Sequence, residues 1–285
     1  VERIAINAVM AGCRPEYIPV LMAAVEAIAD PKFNLQGIQA TTNSATPWLI
    51  VSGPIAATLG INAGLNCIGQ GTRANATLGR AIRLILQNVG GALPGQMDRA
   101  THGQPGKYTF CCAENEPASP WAPLHVERGF AADASVVTVV GISGSVEIVD
   151  SSSSTPEDLA QTYAQSMLIA GTAGSGGLLG GGEPLIVMPP EIAQAFDRAA
   201  CSKAHAKALI HERAVLPRDK LSAAIREHRA MLAKSAGSDP DAPLRIAENA
   251  NDVMIVVAGG VGVKAAYLPT WAGMTKAVSR EIRMR

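Results

Sequence analysis

Apolar residues along this chain fall into short continuous runs separated by longer stretches with a helical period. Residues 3–10 (RIAINAVM), 35–42 (LQGIQATT), 48–53 (WLIVSG), 135–144 (SVVTVVGISG), 183–189 (EPLIVMP) and 253–263 (VMIVVAGGVGV) read as strands. Each is brief, and most are rich in β-branched residues. Between them, Ile18, Leu21, Met22, Val25 and Ile28 recur at helical spacing. Pro19 fits the first turn of that helix, where a missing N–H costs nothing. Residues 72–89 place Leu78, Ile82, Leu86 and Val89 on one face and stop at Gly90-Gly91. Thr155-Pro156-Glu157-Asp158 combines a cap, a first-turn proline and acids at the positive helix end, which predicts a helix to about residue 170. PEIAQAFDRAA, SKAHAKALIHERAV and LSAAIREHRAMLAK predict three more, the last with Leu221, Ile225, His228 and Leu232 in register. GTAGSGGLLGGG, residues 171–182, is expected to be a flexible or tightly turning loop.

This alternation predicts an α/β fold with mostly parallel sheets and flanking helices. Two similar-sized lobes are expected. Residues 1–150 would carry loops bearing Cys and Glu, and residues 151–285 the Gly-rich loops, with the boundary at the serine run. A single domain is the alternative. No internal repeat stands out, and the chain is expected to close on a short tail. Hydrophobic residues are 48% of the chain and aromatics 4%, so the core is built from Ala, Gly, Val, Ile and Leu.

Charge and cysteine usage narrow the function classes. Lys plus Arg equals Asp plus Glu, 24 of each, so no overall field draws in nucleic acid or an anionic membrane. Every long apolar run is broken by Gly, Pro or a charge, which argues against a transmembrane helix. The chain opens on Val1 without a signal-like segment, which predicts a stretch upstream. Five cysteines do not make a disulfide framework, so a reducing, cytoplasmic setting is expected. The alanine-rich helices suggest a homo-oligomer or a paired subunit.

Candidate chemistry gathers in residues 98–130. A loop this long is usually functional when ordered. It holds Arg99, His102, Cys111, Cys112, Glu114, Glu116, His125, Glu127 and Arg128. If the strand through Cys111 continues, Glu114 and Glu116 share a face and could divide acid and base roles. They could equally hold a hard divalent metal, with His125 completing a mixed N/O set. Cys13, expected between a strand and a helix N-terminus beside Arg14, suits a nucleophile or metal ligand. Cys13, Cys67 and one of Cys111 or Cys112 could instead hold an iron–sulfur cluster. Gly69-Gln70-Gly71-Thr72-Arg73-Ala74 opens a helix and could take a substrate anion through Arg73 and Asn75. The strand before it is too short, and no acid follows at the right spacing, for a dinucleotide fingerprint. Gly260-Val261-Gly262 leaves too little chain for a nucleotide-binding half, and neither loop ends in GK[ST]. NAD, flavin and ATP are therefore disfavoured. Arg99, His102 and Lys264 are the remaining expected substrate contacts.

The phrases INAVMAGCRPEY, GTRANATLGRAIRL, GKYTFCCAENEPASPWAPLHVERGF and GGEPLIV resemble a family of bacterial proteins of unassigned activity. Members are sometimes found beside small proteins with a Sec/Cys-Gly-Ser-Cys motif. The resemblance spans most of the chain and implies that the Cys- and Glu-bearing loops form one recurring unit. It implies no reaction. The residues themselves predict a lyase of the hydro-lyase type, or a hydrolase, acting on a small anionic substrate. Loops 11–17, 67–75, 98–128 and 258–264 would meet at one pocket. Glu114, Glu116, His125 and Cys13 would be catalytic, and Cys13, Cys67, Cys111, Glu114 and Glu116 alternative metal ligands. A metal-free thiol enzyme using Cys13 with Cys111 or Cys112, and a non-catalytic binding subunit, are the competing expectations.

Overall fold

The computed structural model describes residues 1–168, 182–271 and 275–283. The first half contains α1 (Glu2–Ala11), α2 (Ile18–Ala29), α3 (Leu35–Ala40), β1 (Thr46–Ser52), α4 (Pro54–Thr58), α5 (Arg73–Asn88), β2 (Cys111–Ala113), α6 (Leu124–Glu127), β3 (Val136–Ile142) and β4 (Val146–Val149). The second contains α7 (Pro156–Met167), β5 (Leu185–Met188), α8 (Pro190–Arg198), α9 (Lys203–Arg213), β6 (Val215–Leu216), α10 (Ala223–Ser235), β7 (Leu244–Arg245), β8 (Met254–Val257), β9 (Lys264–Leu268) and β10 (Val278–Glu281).

Two four-stranded sheets dominate, in the orders β10-β3-β1-β2 and β4-β9-β5-β8. Both are mixed, which corrects the expectation of mostly parallel sheets. Only β1/β2 and β5/β8 run parallel, and the other neighbours are antiparallel. The two sheets therefore repeat one strand pattern that the sequence does not announce. Each also borrows its fourth strand across the chain: β4 joins the second sheet and β10 the first. Residue 150 follows β4 directly, so the serine run does not separate the sheets.

Period-two alternation explains how the layers stack. Trp48, Ile50, Cys112, Val140 and Ile142 of the first sheet share one buried cluster with Leu185, Val187, Met254, Val256 and Leu268 of the second. The intervening residues Leu49, Val51, Cys111, Ala113, Val137 and Val139 face α1, α2 and α5. Ile186, Met188, Ile255, Val257 and Tyr267 face the apolar sides of α7, α8 and α9. Helices thus cover the outer face of each sheet, and the inner faces meet in a shared core. β1 and β3 are buried at every residue, which is why they read as unbroken apolar runs.

Several expected elements change type. Residues 3–10 form α1, because Ala5, Ala8 and Ala11 favour helix and the chain closes on a left-handed Gly12 (φ 86°). Residues 35–40 form α3, capped by the Asn34 side chain, which accepts from the Gly37 amide at 3.3 Å. The supposed C-terminal tail supplies β9 and β10. Only the start of the expected inward face packs: Leu221, just ahead of α10, is buried and Ile225 lies against the second core, whereas His228 and Leu232 are exposed and Arg229 is buried. Most of the glycine tract 171–182 lies outside the described residues.

Gly79 shows how closely α5 rides on the first sheet. A Cβ there would fall 2.3 Å from the Phe110 amide nitrogen. Alanine is favoured over glycine in a helix by about 1 kcal/mol, so propensity alone expects Gly79→Ala to stabilise. Close packing expects the reverse, a fall in the thermal midpoint of several degrees on ~2 kcal/mol of overpacking. A thermal denaturation curve decides between them.

Candidate metal centre

The parallel pairs β1/β2 and β5/β8 bring their carboxyl ends together. The Asn115 amide donates to the Val257 carbonyl at 2.7 Å, and the Gly259 amide to the Ala63 carbonyl at 2.8 Å. Residues 62–63, 113–115 and 257–259 therefore meet here, within or beside three of the predicted loops (67–75, 98–128 and 258–264). Glu114 is the first residue past β2, held by its amide donating to the Val51 carbonyl at 3.0 Å. In the second sheet the Ala258 amide makes the matching bond to Met188. Ala258 thus stands where Glu114 stands, and only one of the two equivalent positions is acidic.

Glu114 is buried, with 3% of its surface exposed. Its Oε2 accepts from Ser52 Oγ at 3.0 Å and from the Leu124 amide at 2.9 Å. Its Oε1 is buried with no partner in the protein. Burial pushes the carboxyl up to about 7. The Lys203 charge and the Leu124 and Ser52 hydrogen bonds oppose that rise, and the Glu116 charge reinforces it.

His125 is fully buried in the short helix α6. Its Nε2 lies 3.4 Å from the Ala132 carbonyl. A carbonyl can only accept, so Nε2 carries the proton and Nδ1 keeps its lone pair in the neutral ring. Nδ1 is buried without a hydrogen-bond partner and lies 3.9 Å from Glu116 Oε1. Glu116 begins a single 3-10 turn (Glu116–Ala118) and is held by the Gly53 amide, which donates to Oε1. One ligand atom from each of Glu114, Glu116 and His125 falls within 4.8 Å of the others. Glu116, whose side chain is 26% exposed, gives the group its opening to solvent.

The two glutamates meet for a different reason than the one expected. The strand ends at Ala113, so alternation does not align them. The turn after it does, together with the pull of Gly53 on Glu116. Gly53 has a left-handed φ of 89°, and a Cβ there would sit 2.1 Å from the Ala134 carbonyl oxygen. Ser52, Gly53 and Lys203 were missed by the sequence reading. The run WLIVSG ends in a strand-to-glycine junction like those noticed at 69–71 and 258–262, and that signal could have found Ser52 and Gly53. Lys203 had no such signal. It is buried, 2.6 Å from Glu127 Oε2, and Lys207 lies 3.0 Å from Oε1 of the same acid. Glu127 is thereby held by two lysines, apart from the group formed by Glu114, Glu116 and His125.

The remaining expected site residues lie elsewhere. Cys13 follows the C-terminus of α1, not a strand, so the helix dipole does not favour its thiolate. Its thiol donates to the Thr77 carbonyl at 3.3 Å, and burial raises its pKa above the usual thiol value. Cys111 faces the helices with Cys13, and burial raises it strongly. Cys67 and Cys112 lie on the opposite face of β2, in the core between the sheets. The strand separates the two pairs, so Cys13, Cys67 and Cys111 do not assemble one cluster. Among the described residues, the group of three or more such side chains placed so that it could hold a metal ion is Glu114, Glu116 and His125.

Asn75 is buried and fully used within the loop. Its amide group donates to the carbonyls of Asn62, Cys67 and Cys111, and its oxygen accepts from the Asn62 and Thr72 amides. It ties the loop together and is not free for substrate. Arg73 is exposed and donates from Nε to the Gly12 carbonyl at 3.0 Å. Lys264 is exposed at the start of β9. Arg99 and His102 are exposed on residues 94–108 at the other end of the first sheet. No described helix is long and apolar enough to cross a membrane. Comparison with family models, curated proteins and solved structures finds no match to the chain, so the chemistry rests on the geometry.

The buried carboxyl makes a pH dependence measurable in metal-free protein. Its pKa in the fold lies above the ordinary carboxylate value of 4.5. Proton binding therefore favours the fold; this contribution is complete below the unfolded pKa and is lost as pH rises through about 7. Urea unfolding in EDTA at pH 5 and pH 8 is expected to show wild type losing up to about 3 kcal/mol relative to Glu114→Gln. A difference that does not change with pH contradicts this reading of the site.

Proposed function

We propose that this chain is a metal-dependent enzyme that adds water to, eliminates water from, or hydrolyses a small anionic substrate. The single observation that carries the reading is a pair of buried lone pairs, Glu114 Oε1 and His125 Nδ1, left without partners beside Glu116. A buried acceptor without a donor costs about 1–3 kcal/mol, so two in one group call for something to fill the gap. Two carboxylates and an imidazole suit a first-row divalent cation such as Zn²⁺, Mn²⁺ or Fe²⁺. Such an ion would supply Lewis-acid polarisation and lower the pKa of a bound water.

The protein's own residues do the positioning. Ala132 fixes the His125 tautomer through Nε2, as a carbonyl behind a metal-bound imidazole commonly does. Ser52 and the Leu124 amide occupy one Glu114 oxygen and aim the other at the group. Gly53 orients Glu116 at the solvent side, where substrate would enter. Three protein ligands leave coordination positions open, which fits catalysis better than a closed structural site. None of the expected cationic contacts Arg73, Arg99 or Lys264 belongs to the group, so a substrate anion would meet its positive charge chiefly in the ion. Nothing in the placement of Cys13 favours the metal-free thiol alternative.

Equilibrium dialysis of EDTA-stripped protein against Mn²⁺ or Zn²⁺ tests the reading. About one ion per chain is expected, with affinity falling at least tenfold in Glu114→Gln and in His125→Ala, both checked for folding by circular dichroism. Hydratase or hydrolase turnover, once a substrate is found, should return on adding the metal back. Stoichiometric binding that neither variant weakens would place the ion elsewhere and remove the proposed catalyst.

A further inference from the structure

Arg80 and Arg83 stand three residues apart on α5 and line a cavity of about 590 Å³. Residues 94–108 form its other wall, contributing Asp98, His102, Gln104, Lys107 and Tyr108. Three permanent cations and one carboxylate line this space. Asp98 Oδ1 is 2.6 Å from Lys107 Nζ, and Oδ2 is 3.6 Å from Arg83 Nη1. One acid is thus shared between two cations and offsets only one of them.

Arg80 has no carboxylate partner among the described residues. Its guanidinium lies 4.3 Å from the centroid of the Tyr108 ring. Stacking of this kind holds the flat face and leaves the N–H edges able to donate. Arg83 plays a different part. It is buried, donating from Nε to the Lys107 carbonyl at 2.9 Å and from Nη1 to Gln39 Oε1 at 3.2 Å. It anchors the wall and contributes positive field. Burial lowers its pKa; Asp98 opposes that fall and the neighbouring Arg80 charge adds to it.

We propose that this cavity binds a small phosphate ester, with Arg80, Lys107 and His102 reaching the phosphate and the remaining volume taking its organic part. Guanidinium and ammonium donors converging on one space match the several acceptor oxygens of a phosphate dianion. The volume falls in the range of ordinary small-molecule sites and exceeds what a bare ion fills. This site is separate from the Glu114 group. Thr46, at the start of β1, is 3.5 Å from Arg83 Nη2, whereas Ser52, at its end, bonds Glu114. Six strand rises place about 20 Å between the two ends. His102, expected in the substrate pocket, belongs to this second one.

The test is calorimetric titration of EDTA-treated protein with glycerol 3-phosphate and with inorganic phosphate, so that no metal can capture the anion. Saturable binding is expected for the ester, weakened by added salt and unchanged in Glu114→Gln. Arg80→Gln should weaken it at least tenfold, and His102→Gln by less. Apart from stacking on Tyr108, the Arg80 side chain makes no hydrogen bond or ion pair within the described protein, so its replacement should leave the fold intact; the thermal midpoint checks this. Tighter binding of bare phosphate than of the ester, no saturation by about 10 mM ligand, or equal affinity in Arg80→Gln would each overturn the proposal. Loss of binding in Glu114→Gln would also overturn it, by placing the anion at the other site.

Discussion

A carboxylate sealed at the end of β2 sets the terms for everything around it. The core between the two sheets places Glu114 out of reach of bulk water. Ser52 and the Leu124 amide then satisfy one oxygen and leave its twin bare. A group in that state is expensive, and it remains so unless a proton or a cation joins it. His125 repeats the condition from α6, with one ring nitrogen committed to Ala132 and the other unclaimed. The fold maintains both deficits with a rigid frame: a strand pair beneath, the Gly53 turn beside, and the loop tied by Asn75 behind.

That frame is built twice and used once. The same strand order appears in both sheets, and matching backbone bonds place Glu114 and Ala258 at equivalent points. Around Ala258 the chain is Val257-Ala258-Gly259-Gly260, with no group to titrate or ligate. The second sheet instead lends its strand end as a wall, through Val257 and Gly259. Exchange of β4 and β10 locks the two sheets together, so the acidic group does not depend on two separable bodies keeping their alignment.

Much of this was readable from the residues, and the failures have physical causes. β1, β3, β5 and β8 were visible because strands buried on both faces leave continuous apolar runs. α5 and α7 announced themselves by period and by caps. Residues 3–10 misled because an alanine-bearing helix of ten residues, partly exposed, offers the same short apolar run as a strand. Strand direction could not be read, since parallel and antiparallel pairs use the same side chains. Glu114, Glu116 and His125 were found by their density in one segment, although the turn that unites them was not foreseen. Cys111 and Cys112 drew the eye for the same reason and proved to be core residues on opposite faces of one strand. Arg99 and His102 were close in sequence to the acids but a full strand length away in space, which is the error that proximity along a chain invites.

Anomalous X-ray diffraction from crystals equilibrated with Mn²⁺ or Zn²⁺ bears most directly on the central claim. The account requires one strong anomalous peak about 2.0–2.3 Å from Glu114 Oε1, His125 Nδ1 and a Glu116 oxygen. A peak at another set of residues, or a fully soaked crystal with none between these three side chains, would contradict it.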